Sequence, residues 1–297
     1  MNWNATSAES ITSPADMSEI DPRIHFRILE DIARDLSGDI NFPTCMDAAI
    51  LVRNSLKDPL ASLERIAQVV GIEPLISSKL LRLANSVSYN PSGKRVSDLS
   101  TAITRLGFEA VRTTSLAVAM DQMLKSRNLA AYDDIAHQAW EHSLQVAAIA
   151  RVLARRIGRV KPDEAMLAGL VHDIGIFYLL FRAAEYQEYR DNREAMLDLI
   201  KGWHESIGES LLHILGLPEH ITEAVRDHDQ PQNIEAPSNI RDILYFANLL
   251  AMDSAHGLPI EIDPGWAEKA IGDRARFADL LDEAEEDIRD LRTALAL

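Results

Sequence analysis

From Asp21 onward the apolar residues of this 297-residue chain recur at helical spacing, and nowhere do polar and apolar residues alternate long enough for a strand. That property makes the expected fold class all-α, with two packed helical lobes. The first stripe, in DPRIHFRILEDIARDL, sets Ile24, Ile28, Ile32 and Leu36 four apart. Asp58-Pro59 and Glu73-Pro74 each place an acidic residue before a proline suited to a first helical turn. Asp58 is a preferred cap residue and Glu73 is not. Leu60, Leu63, Ile66, Ala67 and Val70 follow the first pair; Leu75, Leu80, Leu81 and Leu83 follow the second. The spacing then predicts two helices over 96–125 meeting at Gly107, a long one over 134–158 stopped by GRVKPDE, and others over 162–182, 185–201, 204–215 and 218–228. The seam between the lobes is expected near 126–133.

With 47% hydrophobic residues the chain can bury a substantial core. Thirty basic residues stand against 46 acidic ones, a net charge of -16. Such a field repels nucleic-acid phosphate and anionic membrane surfaces, so neither is an expected partner. A single cysteine, Cys45, forms no internal disulfide, which suits a reducing compartment. Residues 1–20 lack apolar periodicity and read as a disordered leader, without the basic and apolar segments of a secretory signal. No apolar stretch is expected to reach the ~18 residues of a membrane span. The expected location is cytoplasmic.

Chemistry concentrates in AGLVHDIGIF, which sets His172 beside Asp173. Alone, such a pair is often just a hydrogen-bonded, partly buried couple. Other segments add candidates: WEHSLQVAAIA offers His142, WHESIGESLL offers His204, and VRDHDQP offers Asp227 and His228. Imidazole and carboxylate together suit Fe, Mn, Zn or Ni better than Mg or Ca, which prefer oxygen shells.

His142 followed by His172-Asp173 resembles the HD superfamily of metal-dependent phosphohydrolases, whose pattern is His, His-Asp, then a distant Asp. SKLLRLANSVSYN, VSDLSTAITRLGFEAVRTTSLAVAM and PDEAMLAGLVHDIGIFYL resemble the HDOD branch, the HD-related output domain of bacterial signalling proteins. The resemblance runs from about residue 39 to 257. It implies an N-terminal lobe over 21–128 and an HD-like helical bundle over 129–257; beyond it, 258–297 reads by its spacing as a C-terminal amphipathic helical tail. It also places His204 and His228 where two-metal members carry extra histidines.

The departures from the pattern bear on function. The distant aspartate belongs in a helix resembling ILYFANLLA, where this chain has Asn248. A neutral amide binds a transition metal more weakly than a carboxylate and cannot orient a metal-bound hydroxide. Asp253, five residues on, would face another side of the helix. Ile176 stands where HD-GYP phosphodiesterases usually have lysine, and DHDQPQNIEAPSN has no Gly-Tyr-Pro loop. The expected site is therefore vestigial or partial, comprising His142, His172, Asp173, His204, His228 and Asn248, with Fe, Mn, Zn or Ni at partial occupancy. The resemblance implies a non-catalytic signal-transduction module that binds a protein partner or a small regulatory ligand. The alternative is a metal-dependent phosphohydrolase acting on a nucleotide or cyclic dinucleotide.

Four further features have simple expected roles. LERIAQVVGIEPLISSKLLRLAN superficially resembles a helix-turn-helix carrying Lys79 and Arg82, but reads as a packed helix pair. Asn85, Ser86 and Tyr89 are expected to cap and turn the chain, with ligand or partner contact as the alternative. Trp140 and Trp203 are expected to pack in the core beside the site. Phe277, Leu281, Ala284, Ile288, Leu291 and Leu295 recur at spacings of 4 and 3, a short seam that docks on the domain or pairs with another chain. Its acidic face (Asp282, Glu283, Glu285, Glu286 and Asp287) is expected to stay in water, the helix serving association rather than core stability.

Overall fold

The computed structural model describes residues 21–37, 47–58, 60–230, 234, 236–252 and 272–295. The leader, Cys45 and Asp253 lie outside the described residues. All regular elements among the described residues are helical, as the apolar spacing predicts. The front of the chain folds as α1 (Pro22–Ser37), α2 (Asp47–Lys57), α3 (Leu63–Gly71), α4 (Pro74–Ala84), α5 (Leu99–Leu106) and α6 (Phe108–Leu124). A 3-10 turn, Arg127–Tyr132, falls at the expected seam and leads into α7 (Asp133–Ile157). Then come α8 (Pro162–Val171), α9 (Ile174–Ala183), the single-turn α10 (Gln187–Arg190), α11 (Arg193–Ile214), α12 (Glu219–Arg226), α13 (Ile240–Ala251) and α14 (Ala278–Leu295).

Local chemistry sets the boundaries. Ser62 caps α3 by accepting from Arg65 N, and Asp98 caps α5 by accepting from Thr101 N at 2.8 Å. Asp58 caps only a turn, accepting from Leu60 N at 2.9 Å, so the helix expected after Pro59 begins at Leu63. Gly107 joins α5 to α6 at φ 81°, and Gly158 ends α7 at φ 71°.

The front lobe does not stand apart. Almost every residue of α6 from Ala110 to Leu124 is buried, because α6 packs on α2 and α4 on one side and on α7, α8 and α9 on the other. The buried residues form one continuous core across both lobes. Pro162–Ala183 is apolar and long enough to cross a membrane, contrary to the expectation, yet it is mostly buried inside the fold.

Two expected helices have different boundaries. The one over 162–182 breaks at His172-Asp173 into α8 and α9. Asp173 sits at φ -98°, ψ 17°, and its carbonyl accepts from Ile176 N at 2.9 Å, which restarts the helix. Conversely, 185–201 and 204–215 meet in the unbroken α11. Gly202 lies within it with nothing near the space of a side chain, and one helical glycine costs only ~1 kcal/mol.

The C-terminal helix is part of the core. α14 packs on α7, α4 and α6 through Leu280, Ala284, Leu291, Ala294 and Leu295, while Phe277, Leu281 and Ile288 are half-buried. Its acidic face stays exposed at Asp282, Glu283, Glu285 and Glu286, as expected, and is turned inward at Asp287 alone. Asp287 is buried 3.0 Å from Arg155 and 3.4 Å from Arg151, and accepts from the Ser88 hydroxyl at 2.9 Å. Glu283 pairs with Arg156 at 2.9 Å. The expectation of a helix outside the core is thus overturned, because its apolar seam is buried and the buried Arg151 on α7 draws Asp287 in. Lys79, the supposed DNA-facing residue, is 1% exposed, and its ammonium donates to the Leu295 carbonyl under α14.

Candidate metal centre

Five elements converge on one point. His142 projects from α7, His172 and Asp173 from the α8–α9 turn, His204 from the middle of α11, His228 from the turn after α12, and Asn248 from α13. All six sequence-derived candidates are brought together, and all but the half-buried His142 are buried. Close backbone packing makes this possible. A Cβ on Gly175 would lie 2.0 Å from the His204 carbonyl oxygen, and one on Gly169 would lie 2.7 Å from the Ala147 Cα. The glycine after His-Asp-Ile therefore lets α9 start directly against α11, beside His204.

Asp229 is the residue the sequence reading missed. Its Oδ1 accepts from Asn248 Nδ2 at 2.8 Å, and its Oδ2 lies 3.1 Å from His204 Nε2. The signal was present as the two aspartates flanking His228. α12 ends at Arg226, and in the following turn the two diverge. Asp227 turns outward to Arg226 and Arg241, and Asp229 turns in.

The histidines fall into two kinds. His172 Nδ1 lies 2.8 Å from the Gly169 carbonyl, His204 Nδ1 2.9 Å from Ile200 O, and His228 Nδ1 2.6 Å from Val225 O. A carbonyl only accepts, so each of these nitrogens carries a proton and each Nε2 is left facing the centre. Asp173 receives two of them, with His172 Nε2 at 3.2 Å from Oδ2 and His228 Nε2 at 3.3 Å from Oδ1. Neither Nε2 has a hydrogen-bond partner among the described residues. His142 is different, since its Nε2 lies 2.8 Å from Asn248 Oδ1. Asp229 can only accept, so Asn248 turns its amide nitrogen there and its oxygen to His142. His142 Nε2 must then donate.

Imidazole and carboxylate thus alternate from His172 through Asp173, His228 and Asp229 to His204. Burial drives His228 down, but the carboxylates of Asp229 and Asp173 outweigh it and push it up to about 10. His204 is raised against its burial by Asp229, whereas His142 is lowered by burial and by neighbouring His172. Asp173 stays well below the usual carboxylate range despite burial, because His172 and His228 face it. Asp229 is lowered likewise by His228 and His204. The cluster demands positive charge, from protons or from a cation.

Two groups of donor atoms each lie within 4.8 Å of one another: His142, His172 and Asp173, and Asp173, His204 and His228. Orphaned, buried Nε2 atoms facing carboxylates fit a metal, so the cluster is compatible with a metal site. Ile176 is buried on α9 and brings no charge to the cluster. Trp140 is buried as expected, but Trp203 is 38% exposed on the outer side of α11. There it lines a groove with Leu29, Leu36 and Ile214 instead of packing beside the centre. Asn85 fills a structural place, donating to Leu81 O and Val96 O and accepting from Val96 N, each at 2.8 Å. Tyr89 donates to Asp163 at 2.7 Å, and the Ser86 hydroxyl is buried without a partner among the described residues.

Fold and cluster together define an all-helical protein built round a buried His-Asp pair. The HDOD domain model matches residues 42–231, and the chain belongs to the HDOD family. Its fold is similar to that of a protein from Shewanella amazonensis SB2B described as a putative metal-dependent phosphohydrolase. That similarity has a TM-score of 0.71 at 21% identity, covering 93% of this chain and 100% of the other. An HDOD domain protein of unknown function from Geobacter sulfurreducens is similar with a TM-score of 0.58 at 18% identity, over 90% and 99% of the two chains. A protein from Marinobacter aquaeolei VT8 described as a putative signal transduction protein is similar with a TM-score of 0.56 at 18% identity, over 95% and 68%. Comparison with curated proteins gives no match.

Proposed function

We propose that this chain is a regulatory HDOD module of bacterial signal transduction, acting in the cytoplasm by binding a protein partner or a small regulatory ligand without catalysing hydrolysis. The observation that carries this reading is the Asn248 bridge. Phosphoester hydrolysis in an HD centre calls for a carboxylate at that position, to hold a metal and orient the attacking water. Here an amide occupies the position, and its oxygen ties up the His142 Nε2. No positively charged side chain stands at Ile176 to meet a phosphate. The HDOD family membership and a fold relative described as a putative signal transduction protein support a signalling context.

A bound metal would be a transition ion such as Fe, Mn, Zn or Ni, held by histidine Nε2 atoms and carboxylates. It would supply Lewis acidity, and in this reading it serves the shape of the module. A second reading, a metal-dependent phosphohydrolase acting on nucleotides or cyclic dinucleotides, is favoured by the convergence of four histidines and two aspartates. Hydrolysis assays on both substrate classes, with added Mn and Fe, separate the two. The expected result is no turnover. Turnover that vanishes in His172→Ala establishes the enzyme instead.

A further inference from the structure

We infer that the face of α4 and α7 beneath α14 is a docking surface for an acidic amphipathic helix of a partner protein. α14 is its resident occupant, and the partner helix takes its place. The inference rests on the regulatory reading above and names the class of partner.

The surface is cationic in a chain whose net charge is -16. Lys79 on α4 and Arg151, Arg155 and Arg156 on α7 supply the charge. All four lie within residues 42–231, the span of the HDOD match, and α14 lies beyond it. α14 displays the chemistry that the surface accepts. Its apolar stripe enters through Leu280, Ala284, Leu291 and Leu295, at spacings of four and seven. Beside the stripe, Asp287 stands 3.0 Å from Arg155 and 3.4 Å from Arg151, and Glu283 stands 2.9 Å from Arg156. The Leu295 carbonyl, at the end of α14, accepts from the Lys79 ammonium. A cation is favoured at a helix C-terminus, so the surface selects direction as well as charge.

The fit leaves room for a better ligand. Three arginines share two carboxylates of α14, and Arg151 is otherwise held by Asp163 at 3.6 Å and by the Tyr89 ring at 4.3 Å. A helix with one more carboxylate there would bind more tightly than α14. A second copy of this chain has no such advantage. Arg274 donates to the Leu250 carbonyl and Phe277 packs 5.9 Å from Phe246, which holds the start of α14 at the end of α13. The chain's own α14 is thus present at high effective concentration, and an identical helix from another copy gains nothing over it. Because the stripe is part of the core, one helix replaces another and the surface never stands empty.

The probe is a fluorescein-labelled synthetic peptide of residues 274–295, added to the full native chain and read by anisotropy. Saturable binding of one peptide per chain is expected, weakened at least about tenfold when the peptide carries Asp287→Lys. A full chain with Asp287→Asn has a loosened helix over an intact surface, and should bind the native peptide at least about tenfold more tightly than the native chain. The side-chain oxygens of Ser88 and Asp290 lie 2.9 Å apart, so cysteines at both positions can tie α14 down. A chain with Cys45→Ser, Ser88→Cys and Asp290→Cys should bind the peptide, and lose it once a short bis-maleimide joins the two thiols. Thermal melts check folding, and if Asp287→Asn does not fold, the tied chain decides. No saturable binding overturns the inference, as does equal binding of the Asp287→Lys peptide or equal binding after tying. Cross-linking between chains, when Ser88→Cys and Asp290→Cys are carried on separate chains and mixed, makes the occupant a second copy and also overturns it. Turnover in the hydrolysis assays would sink the regulatory reading and leave this surface to the binding data.

Discussion

Gly175 and the carbonyl of His204 approach so closely that a methyl group on Gly175 would stand 2.0 Å from the oxygen. The contact is between backbones, which no side-chain rotation relieves. Gly175→Ala must push α9 away from α11 and with it disturb the His-Asp turn. A destabilisation of about 3 kcal/mol or more is expected, at the top of the range for overpacking. Gly202→Ala is the control, since open space surrounds that position and alanine is the better helix former. It should stabilise by about 0.5–1 kcal/mol. Urea unfolding of both variants checks the pair.

The C-terminal helix should be indispensable for stability. Asp287 is buried between Arg151, Arg155 and Ser88. Removing one partner of a buried pair leaves an uncompensated charge, at a cost of about 3–5 kcal/mol. Asp287→Ala should show a loss of that size, and a chain ending at residue 271 should melt many degrees lower. A truncated chain with unchanged melting temperature would mean that α14 rests on the surface without holding it.

Lys79 should contribute stability that climbs with pH across mildly alkaline conditions, while His228, held up at about 10, contributes the opposite slope over the same range. Burial holds the Lys79 ammonium down at about 8, against an ordinary 10.5, with Asp121 opposing in part. Between those values Lys79 binds a proton in the unfolded chain and not in the folded one, so its own contribution to stability grows as pH rises. Below about 8 Lys79 is protonated in both states and its contribution is flat. Tyr178, Tyr186 and Tyr189 are pushed up to about 12 by burial, so unfolded tyrosines ionise first and reverse the trend above about pH 10. Between pH 7.5 and 9.5 the urea midpoint of the native chain should rise relative to that of Lys79→Met, and a constant difference between the two would reject the role of Lys79.

Asn85 should behave as a structural residue. Its amide donates twice to backbone carbonyls and accepts once from a backbone N–H. Asn85→Ala should therefore cost about 2–3 kcal/mol, with backbone groups left unpaired. Asn85→Asp, which keeps the acceptor and loses both donors, should cost a comparable amount. Chemical denaturation reads both, and wild-type stability in either variant would return Asn85 to the list of ligand contacts.

The fold class was legible because helical spacing is a local property, and most helix bounds follow from caps such as Asp98 and breaks such as Gly107 and Gly158. What escaped was decided by partners distant in sequence. The break at His172-Asp173 depends on α11 pressing against Gly175, and the continuity of α11 past Gly202 depends on packing at both its ends. Trp203 looked like a core residue because its neighbour is a site histidine, yet successive helical positions point about 100° apart. Within the cluster, the six candidates chosen from residue type and family pattern lie together. Asp229 was not among them, because the turn that separates it from Asp227 is set only once α13 lies alongside. The seam of α14 was visible, but the arginines that claim its acidic side sit on α7, more than a hundred residues away.

The joint that closes over Ser88 also sets the order of assembly during synthesis. Ser88 and Asp287 are 199 positions apart, with Arg151 and Asp163 between them in the chain. Emerging from the ribosome, α4, α7 and α8 precede α14 by a long interval. Throughout that interval Lys79, Arg151 and Arg155 lack the partners that α14 brings. Only the arrival of the last helix dries the joint and locks the lobes together. Contacts of such long sequence separation form late and slowly. The two halves of the core can therefore find their helices early, while the joint between them waits on the eighteen-residue α14.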